Sequence, residues 1–306
     1  MNQPLKLAVS PHIHSGRSTR RIMLDVLIAL LPTTVAGIVI FGLRALLVVA
    51  VTVLSCVGFE ALFCLIRKKP VTVGDLSAAV TGLLLALNLP ANIPLWQCVV
   101  GALFAMVVVK GLFGGLGANP VNPAITARVF MLVAFGTMAK AAFPVDAVSS
   151  ATPLASEEAT SLMDLFLGNH GGAIGETCAA ALLLGGIYLI VRRVITWHIP
   201  VAFIGTVFVA SFFMEGMDLT AALAAILSGG LLIGAIFMAT DYVTSPATPW
   251  GKIIFGLGAG LITFLIRYFG VYPEGVSFAI LFMNIITPYI SSWTKRKVFG
   301  VGGKNA

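Results

Sequence analysis

Residues 22–42 read IMLDVLIALLPTTVAGIVIFG and residues 45–66 read ALLVVAVTVLSCVGFEALFCLI, and these two apolar runs decide the fold class. Each is close to the length of about 20 residues that a helix needs to cross the hydrocarbon core of a bilayer. Three basic residues, Arg67, Lys68 and Lys69, follow the second run directly. Because Lys and Arg collect on the cytoplasmic side of membranes, the pattern predicts two membrane helices that return the chain to the cytoplasm.

The composition of the whole chain also indicates a membrane protein. Of its 306 residues, 58% are hydrophobic and only 10% are charged, whereas about a quarter of the residues of a soluble domain are charged. The sequence therefore predicts an all-α integral membrane protein in a lipid bilayer and excludes a soluble globular domain. The four cysteines all fall inside apolar runs, so neither a disulfide framework nor a metal site is expected.

Further apolar segments bring the prediction to about ten transmembrane helices. The predicted spans are 22–42, 45–66, 76–90, 95–114, 123–138, 173–191, 199–215, 219–239, 252–269 and 275–293. They divide equally around one long connection, so the two five-helix halves enter the membrane from opposite sides and are expected to be inverted. The predicted parts are a tail 1–21, a first half 22–138, an external loop 139–172, a second half 173–293 and a tail 294–306.

The charges predict the orientation of these spans. All Lys and Arg residues except Arg44, Lys140 and Arg267 fall on or near one side, and most of the acids, Glu176 among them, fall on the other. The basic side is the cytoplasmic side, which places both termini inside and the 139–172 loop outside. The net charge of +7 is then a topology signal, and no nucleic-acid partner is expected.

Two loops rich in Gly, Pro, Asn and Thr interrupt the halves. One covers residues 114–124 in the first half and the other residues 238–249 in the second, and each follows a Gly-rich span. Paired interruptions of this kind mark the binding site in transporters built from inverted repeats. The two loops therefore indicate a site near the membrane midplane, and they suggest an inverted repeat although residue identity between the halves is low.

A segment of small and hydroxyl residues stands in the external loop, where residues 146–155 read DAVSSATPLA. The proline after Thr152 favours an extended backbone there, so the hydroxyl of Thr152 is offered to a visiting protein. By composition alone, a flexible loop is the better explanation of the segment. The segment resembles the motif Asp-x-x-Ser/Thr-Gly-Ala-Thr, in which an exported flavin transferase attaches FMN through a phosphoester to the last threonine. The matching residues are Asp146, Ser149, Ser150, Ala151, Thr152 and the following Pro153, with Ser150 where glycine is usual.

Three further stretches occur in the same order as in a known family. Residues 110–124, residues 238–246 and residues 272–284 resemble the membrane subunits NqrB and RnfD, and with Ser10 to His12 the similarity covers nearly the whole chain. The chain length is closer to the RnfD type. The resemblance implies a urea-transporter-like fold in the bacterial cytoplasmic membrane.

The same resemblance implies a function in a larger assembly. The chain would be an electron-transfer subunit of an Rnf complex, which couples electron transfer between ferredoxin and NAD+ to the translocation of Na+ or H+. FMN would be attached covalently to Thr152. The implied partners are RnfA, RnfB, RnfC, RnfE, RnfG and the exported flavin transferase. The subunit would not be a complete enzyme alone.

The loop with Gly117, Asn119, Asn122 and Ala124 has two interpretations. In the first it holds a second, noncovalent flavin, which relatives of the NqrB type are expected to bind as riboflavin; asparagine amides can pair with the ring edge and glycines allow close approach. In the second the Asn-Pro turns only satisfy backbone groups where two helices meet the interface.

Charged residues inside spans are costly and are functional candidates. Glu60 is a candidate ion or proton ligand, or else it pairs with Lys110 or Arg128, and Asp241 is a weak candidate for an ion pathway. Lys110 and Arg128 are expected to snorkel to the interface. Two alternatives to the redox function remain open, a urea-type channel or transporter and a scaffold without a redox group, and neither has a use for a flavin acceptor at Thr152.

Overall fold

The computed structural model describes residues 18–135, 161–270 and 275–295, and the secondary structure of these residues is helical. The helices are α1 Thr19–Phe41, α2 Leu43–Ile66, α3 Ser77–Leu87, α4 Leu95–Leu103, α5 Pro123–Ala134, α6 Leu162–Leu167, α7 Ala179–Val191, α8 His198–Met214, α9 Leu219–Leu227, α10 Leu231–Ile233, α11 Pro249–Phe269 and α12 Val276–Trp293. Two π-helical segments, Phe104–Gly111 and Gly234–Met238, continue α4 and α10.

Within the described ranges, four helices are long and apolar enough to cross a membrane, and a fifth span results if the bent pair of α9 with α10 and its π-helical extension is counted as one. The four are α1, α2, α11 and α12; five more apolar helices are shorter, at 10–17 residues. The prediction of an all-α, multi-pass membrane protein is confirmed.

The span predicted for residues 173–191 starts too early. Residues 170–177 are buried but not helical, and α7 begins only at Ala179. Their backbone is satisfied by the end of α3, since Ile174 N–H donates to the carbonyl of Leu89 at 3.1 Å and Gly175 N–H donates to that of Leu87 at 2.7 Å. Irregular backbone at membrane depth is tolerated only where protein buries it, and apolar composition alone cannot distinguish it from a helix.

The span predicted for residues 219–239 is broken. Its two parts meet at an angle of 65° across residues 228–230. The guanidinium of Arg267 reaches this break and donates to the carbonyls of Ala225 at 2.6 Å and Ser228 at 3.2 Å. The carbonyls that the break removes from the helix ladder are therefore satisfied by a side chain of α11.

The helices pack in two similar groups. In the first, α2 packs against α3 and α4; in the second, α8 packs against α9 and α11. Between the groups, α1 packs against α7 and α5 packs against α12. The contact of α1 with α7 depends on Gly185, where a Cβ atom would collide with the carbonyl oxygen of Ala29. These contacts bring the loops that carry the candidate site residues to the centre of the molecule.

Candidate functional site

The two Gly- and Pro-rich loops face one cavity of about 120 Å³, which α1, α3 and α7 enclose from the other sides. This is roughly ten times the volume that one ordered water requires. The two loops, one from each half of the sequence, therefore meet at one site. Their equivalence as partners of a repeat stays a prediction.

The cavity collects candidate residues from distant parts of the sequence. Asn119, Asn122 and Ala124 of the first loop and Asp241 of the second all line it. Gly117 is not among the lining residues but adopts a left-handed φ of 88° in the same loop. A side chain would be strained at that φ, so glycine at this position sets the path of the loop.

Both the oxygen and the nitrogen of the Asn122 side-chain amide form hydrogen bonds within the protein. Its Oδ1 accepts from the backbone N–H of Ala124 at 3.0 Å and of Ile125 at 3.3 Å, which caps α5. Its Nδ2 donates to the carbonyl of Met238 at 3.2 Å, at the start of the second loop. Its backbone N–H lies 3.2 Å from the amide oxygen of Asn284 in the orientation that satisfies the Asn284 side chain. All three stretches that carry the family resemblance therefore meet at Asn122.

The Asn119 amide has more hydrogen-bonding capacity left for a ligand than the Asn122 amide has. Its Nδ2 donates to the carbonyl of Val121 at 3.0 Å, and the side chain is buried at the cavity wall. Apolar side chains, among them Leu84, Leu189 and Phe237, form the opposite walls. Apolar walls with a few convergent polar groups are the usual lining of a small-molecule site, and they suit a flat ring with one polar edge. The chemistry of the lining thus fits a flat aromatic ligand such as a flavin, and of the two asparagines Asn119 has more of its amide left for such a ligand.

Asp241 stands at the head of the second loop. Its carboxylate accepts from the hydroxyl of Thr244 at 3.1 Å and from the backbone N–H of Val243 at 3.4 Å. Burial raises the pKa of the Asp241 carboxyl above its ordinary value, and these two hydrogen bonds lower it by a smaller amount. Desolvation prevails, so the local surroundings favour the neutral acid.

Glu60 pairs with Lys110, one of the two interpretations that the sequence left open. Lys110 Nζ lies 2.6 Å from Glu60 Oε1 and 2.6 Å from the hydroxyl of Ser77, and the lysine is only 4% exposed. The prediction that Lys110 snorkels is wrong, because acceptors inside the protein replace the water it would seek. The pair also borders a second cavity of about 370 Å³, lined in part by Thr72 and Asp75.

Arg128 is likewise buried, and the prediction that it snorkels is also wrong. Its guanidinium donates to Glu176 Oε1 at 2.8 Å and to Asn88 Oδ1 at 2.6 Å. Glu176, assigned from the sequence to the outer surface, is 2% exposed. The sequence did contain the signal, because Arg128 and Glu176 both fall inside predicted spans, where each charge needs a partner.

The remaining candidates belong to the external loop. Asp146, Ser149, Ser150, Ala151, Thr152 and Pro153 lie outside the described residues. In the part of the chain that is described, no group of three or more His, Cys, Asp or Glu side chains is placed to hold a metal ion.

Comparison with known proteins covers almost the whole chain, since residues 6–300 match the NQR2, RnfD, RnfE family. The chain is 47% identical to the D subunit of the Na(+)-translocating ferredoxin:NAD(+) oxidoreductase complex of Acetobacterium woodii, over 97% of this chain and 96% of the relative. It is 41% identical to the D subunit of the proton-translocating ferredoxin:NAD(+) oxidoreductase complex of Clostridium ljungdahlii, over 96% of each chain. It is 35% identical to the D subunit of the ion-translocating oxidoreductase complex of Citrobacter koseri, over 96% of this chain and 99% of the relative.

These matches extend through both groups of helices and all three stretches that meet at Asn122. The resemblance seen in the sequence is confirmed: the chain belongs to the NQR2, RnfD, RnfE family.

Proposed function

We propose that the chain is the RnfD-type component of a membrane complex that couples electron transfer between ferredoxin and NAD+ to ion translocation. The observation that carries the proposal is the similarity to the D subunits of such complexes, which extends over nearly the full length of the chain. The protein acts as one part of an oxidoreductase and has no complete activity alone. The relatives are named for Na+ and for protons, so the coupling ion of this chain is not part of the proposal.

The proposal includes FMN attached through a phosphoester to Thr152 by an exported flavin transferase. The support is the motif Asp146 to Thr152 in the long loop between the two groups of helices. When bound, FMN supplies reversible electron transfer, and the protein fixes its position and surroundings. A urea-type channel or a scaffold would leave Thr152 without a use.

A second, noncovalent flavin is proposed for the cavity between the loops. Asn119 would meet the polar edge of the ring, with Lys110 and Ser77 close by, and Leu84 and Phe237 would cover its faces. The role of Asn122 in this site is indirect. It caps α5 and joins the loop to Met238, and so holds Asn119 in place.

The proposed topology is ten membrane helices in two inverted halves, with both termini in the cytoplasm of a bacterial cell, Thr152 outside and the other Rnf subunits as neighbours. The similar packing of α2 with α3 and α4, and of α8 with α9 and α11, supports two halves of one design. A short repeat supports it too, since residues 90–96 read PANIPLW and residues 246–250 read PATPW. Each of these leads into a helix, α4 or α11, with tryptophan at its second position.

The covalent flavin is tested by coexpressing the chain with a competent flavin transferase and imaging a denaturing gel under ultraviolet light. We expect a fluorescent band that Thr152→Ala abolishes, because the acceptor hydroxyl is lost. Thr160→Ala, in the same loop, is the matched control and keeps the band. A dark wild-type band beside a labelled relative contradicts the redox proposal and favours a channel or scaffold.

The noncovalent flavin is tested on Thr152→Ala protein, whose remaining visible absorbance reports only noncovalent flavin. Asn119→Ala lowers this absorbance if Asn119 meets the ring. Asn169→Ala removes an exposed asparagine that does not line the cavity and is the matched control. Equal absorbance in Asn119→Ala and in its parent would contradict the proposed site.

A further inference from the structure

A third cavity, a wholly apolar groove, lies away from the candidate site on the outside of the bundle. Its volume is about 480 Å³, and α7, α8 and α9 form its walls. Leu183, Ile187 and Ile190 contribute from α7, and Val201, Ile204 and Phe208 contribute from α8. Several of these side chains are exposed, Ile187 by 63% and Val201 by 58%. Such a lining matches the acyl chain of a lipid, which is as apolar as leucine.

The floor of the groove includes a glycine with room beside it. Around Gly205, in the middle of α8, a Cβ atom would meet nothing within 4 Å. The open strip continues along α8 for about 12 Å from Pro200 to Phe208, at a rise of about 1.5 Å per residue. The groove is therefore continuous along α8.

Basic and aromatic residues flank Ile195, which lines the groove. The segment between α7 and α8 contains Arg192, Arg193 and Trp197. Lys252, at the start of α11, donates to the hydroxyl of Thr196 at 3.1 Å, which holds a further cation beside the same segment. Trp197 is exposed and stacks on His198 at a centroid distance of 4.4 Å. Exposed tryptophan beside basic residues is typical of headgroup depth.

We propose that the groove is a binding site for an anionic phospholipid, with an acyl chain along α8 and the phosphate at Arg193 and Lys252. Charge complementarity favours this occupant, because an all-apolar groove with cations beside it matches an amphiphile with an anionic head. Arg192 supports the segment between α7 and α8, since its guanidinium is held by Asp25 of α1 at 3.1 Å.

The site has a structural connection to the candidate cofactor cavity. Ile195 lines both, and Tyr242 of the second loop donates its hydroxyl to the carbonyl of Val194, which lines the cavity. A lipid in the groove therefore packs against the outer side of a wall of that cavity. The inference requires only that the chain spans a membrane, so it stands apart from the proposed redox function.

The test uses the purified complex, exchanged into vesicles of equal parts phosphatidylglycerol and phosphatidylcholine, washed in mild detergent and analysed for retained lipid by mass spectrometry. Gly205→Leu fills the groove, and we expect it to lose a single retained phosphatidylglycerol. Gly58→Leu on α2 is the matched control, because the Cβ of that residue also meets nothing within 4 Å. It should retain lipid as the wild type does.

A second variant tests the headgroup by removing the positive charges and leaving the apolar lining unchanged. Arg193→Gln combined with Lys252→Gln should lower the preference for phosphatidylglycerol over phosphatidylcholine by about fivefold for each charge removed. Unchanged retention in Gly205→Leu, or an unchanged preference in the charge variant, overturns the proposal. Loss of a partner protein from Gly205→Leu, with lipid retention unchanged, would instead assign the groove to a partner helix and would also overturn it.

Discussion

The ammonium group of Lys110 contacts Glu60 and Ser77 instead of reaching the membrane surface. A buried pair of this kind adds little net stability, but removing one partner leaves a charge in a low-dielectric region. Thr72 donates to the same carboxylate oxygen of Glu60 at 3.1 Å, which adds a further link between α2 and the start of α3.

We expect Glu60→Gln and Lys110→Met each to lower the free energy of unfolding by about 3 to 5 kcal/mol, the usual cost of breaking a buried ion pair from one side. The double variant should cost clearly less than the sum, because no unpaired charge remains. The three variants are heated in detergent, and the loss of monodisperse protein on gel filtration compares their stability. Additive effects would show that the pair is not coupled.

Asp241 predicts a dependence of stability on pH. The raised pKa means that the folded protein holds the proton more tightly than the unfolded chain does. Stability is therefore greatest at low pH and falls as pH rises from the ordinary carboxyl pKa through the raised value. Asp241→Asn should remove this loss and be more stable than the wild type at neutral pH. The melting temperature across pH 4 to 8 is the measurement, and parallel curves for the two proteins would refute the assignment.

Two arginines donate to backbone carbonyls outside their own helices. Arg44, at the start of α2, donates to the carbonyl of Ile93 at 3.0 Å, and Arg267 satisfies the break between α9 and α10. These are two of the three basic residues that violated the charge rule in the sequence. These carbonyls give the two cations acceptors on the side that the predicted topology makes unfavourable for Lys and Arg.

We expect Arg267→Met to destabilise the protein by at least about 2 kcal/mol, because the carbonyls of Ala225 and Ser228 lose their donors in a part-buried region. Arg21→Met, at the exposed start of α1, removes the same charge without such bonds and is the control. Chemical unfolding monitored by tryptophan fluorescence compares them. Equal stability of the two variants would show that the break does not depend on Arg267.

The ends of α2 and α7 show a different use of basic residues. The residue two positions beyond each helix has a positive φ and is not glycine, Lys68 at 52° and Arg193 at 54°. The next backbone N–H bonds back to the fifth residue before it, Lys69 to Cys64 at 2.9 Å and Val194 to Leu189 at 2.9 Å. Glycine at either position would remove the strain of the left-handed backbone. The basic side chain therefore lowers the free energy of unfolding by about 1 kcal/mol or more.

At the scale of the whole molecule, the two groups of helices meet through close contacts that a methyl group would disrupt. Gly185→Ala should force α1 and α7 apart, because its Cβ would collide with the carbonyl oxygen of Ala29. We expect a marked loss of monodisperse protein on gel filtration. Gly58→Ala, where Cβ has open space, should be neutral or slightly stabilising, since alanine is the better helix former. Equal yields for both variants would contradict the contact.

Sequence reasoning found the parts of this fold that depend on composition. The long helices α1, α2, α11 and α12 are continuous apolar runs, and their ends fall within a few residues of the predicted spans. The irregular stretch 170–177 was missed because its residues are as apolar as a helix, and only its bonds to Leu87 and Leu89 distinguish it.

The candidate site was predictable in its residues but not in its geometry. Asn119, Asn122 and Asp241 were identified from separate motifs, yet no spacing in the sequence implies that they line one cavity. The partners of Arg128 were missed for the same reason, since Asn88 and Glu176 lie 40 and 48 residues away in the sequence. Long-range pairing of buried charges is decided by tertiary packing, which local patterns do not encode.

The buried pair of Arg128 with Glu176 has a consequence for how the chain is made. Helix α5 has 12 residues, so it is about 18 Å long and falls well short of the roughly 30 Å hydrocarbon core. When α5 leaves the ribosome, Arg128 has no counter-ion until 48 more residues have been synthesised. We expect α5 to remain at the bilayer surface until Glu176 emerges. In a nascent chain stalled before that residue, a protease should then cleave within α5. The same protease should not cleave α5 in the finished protein.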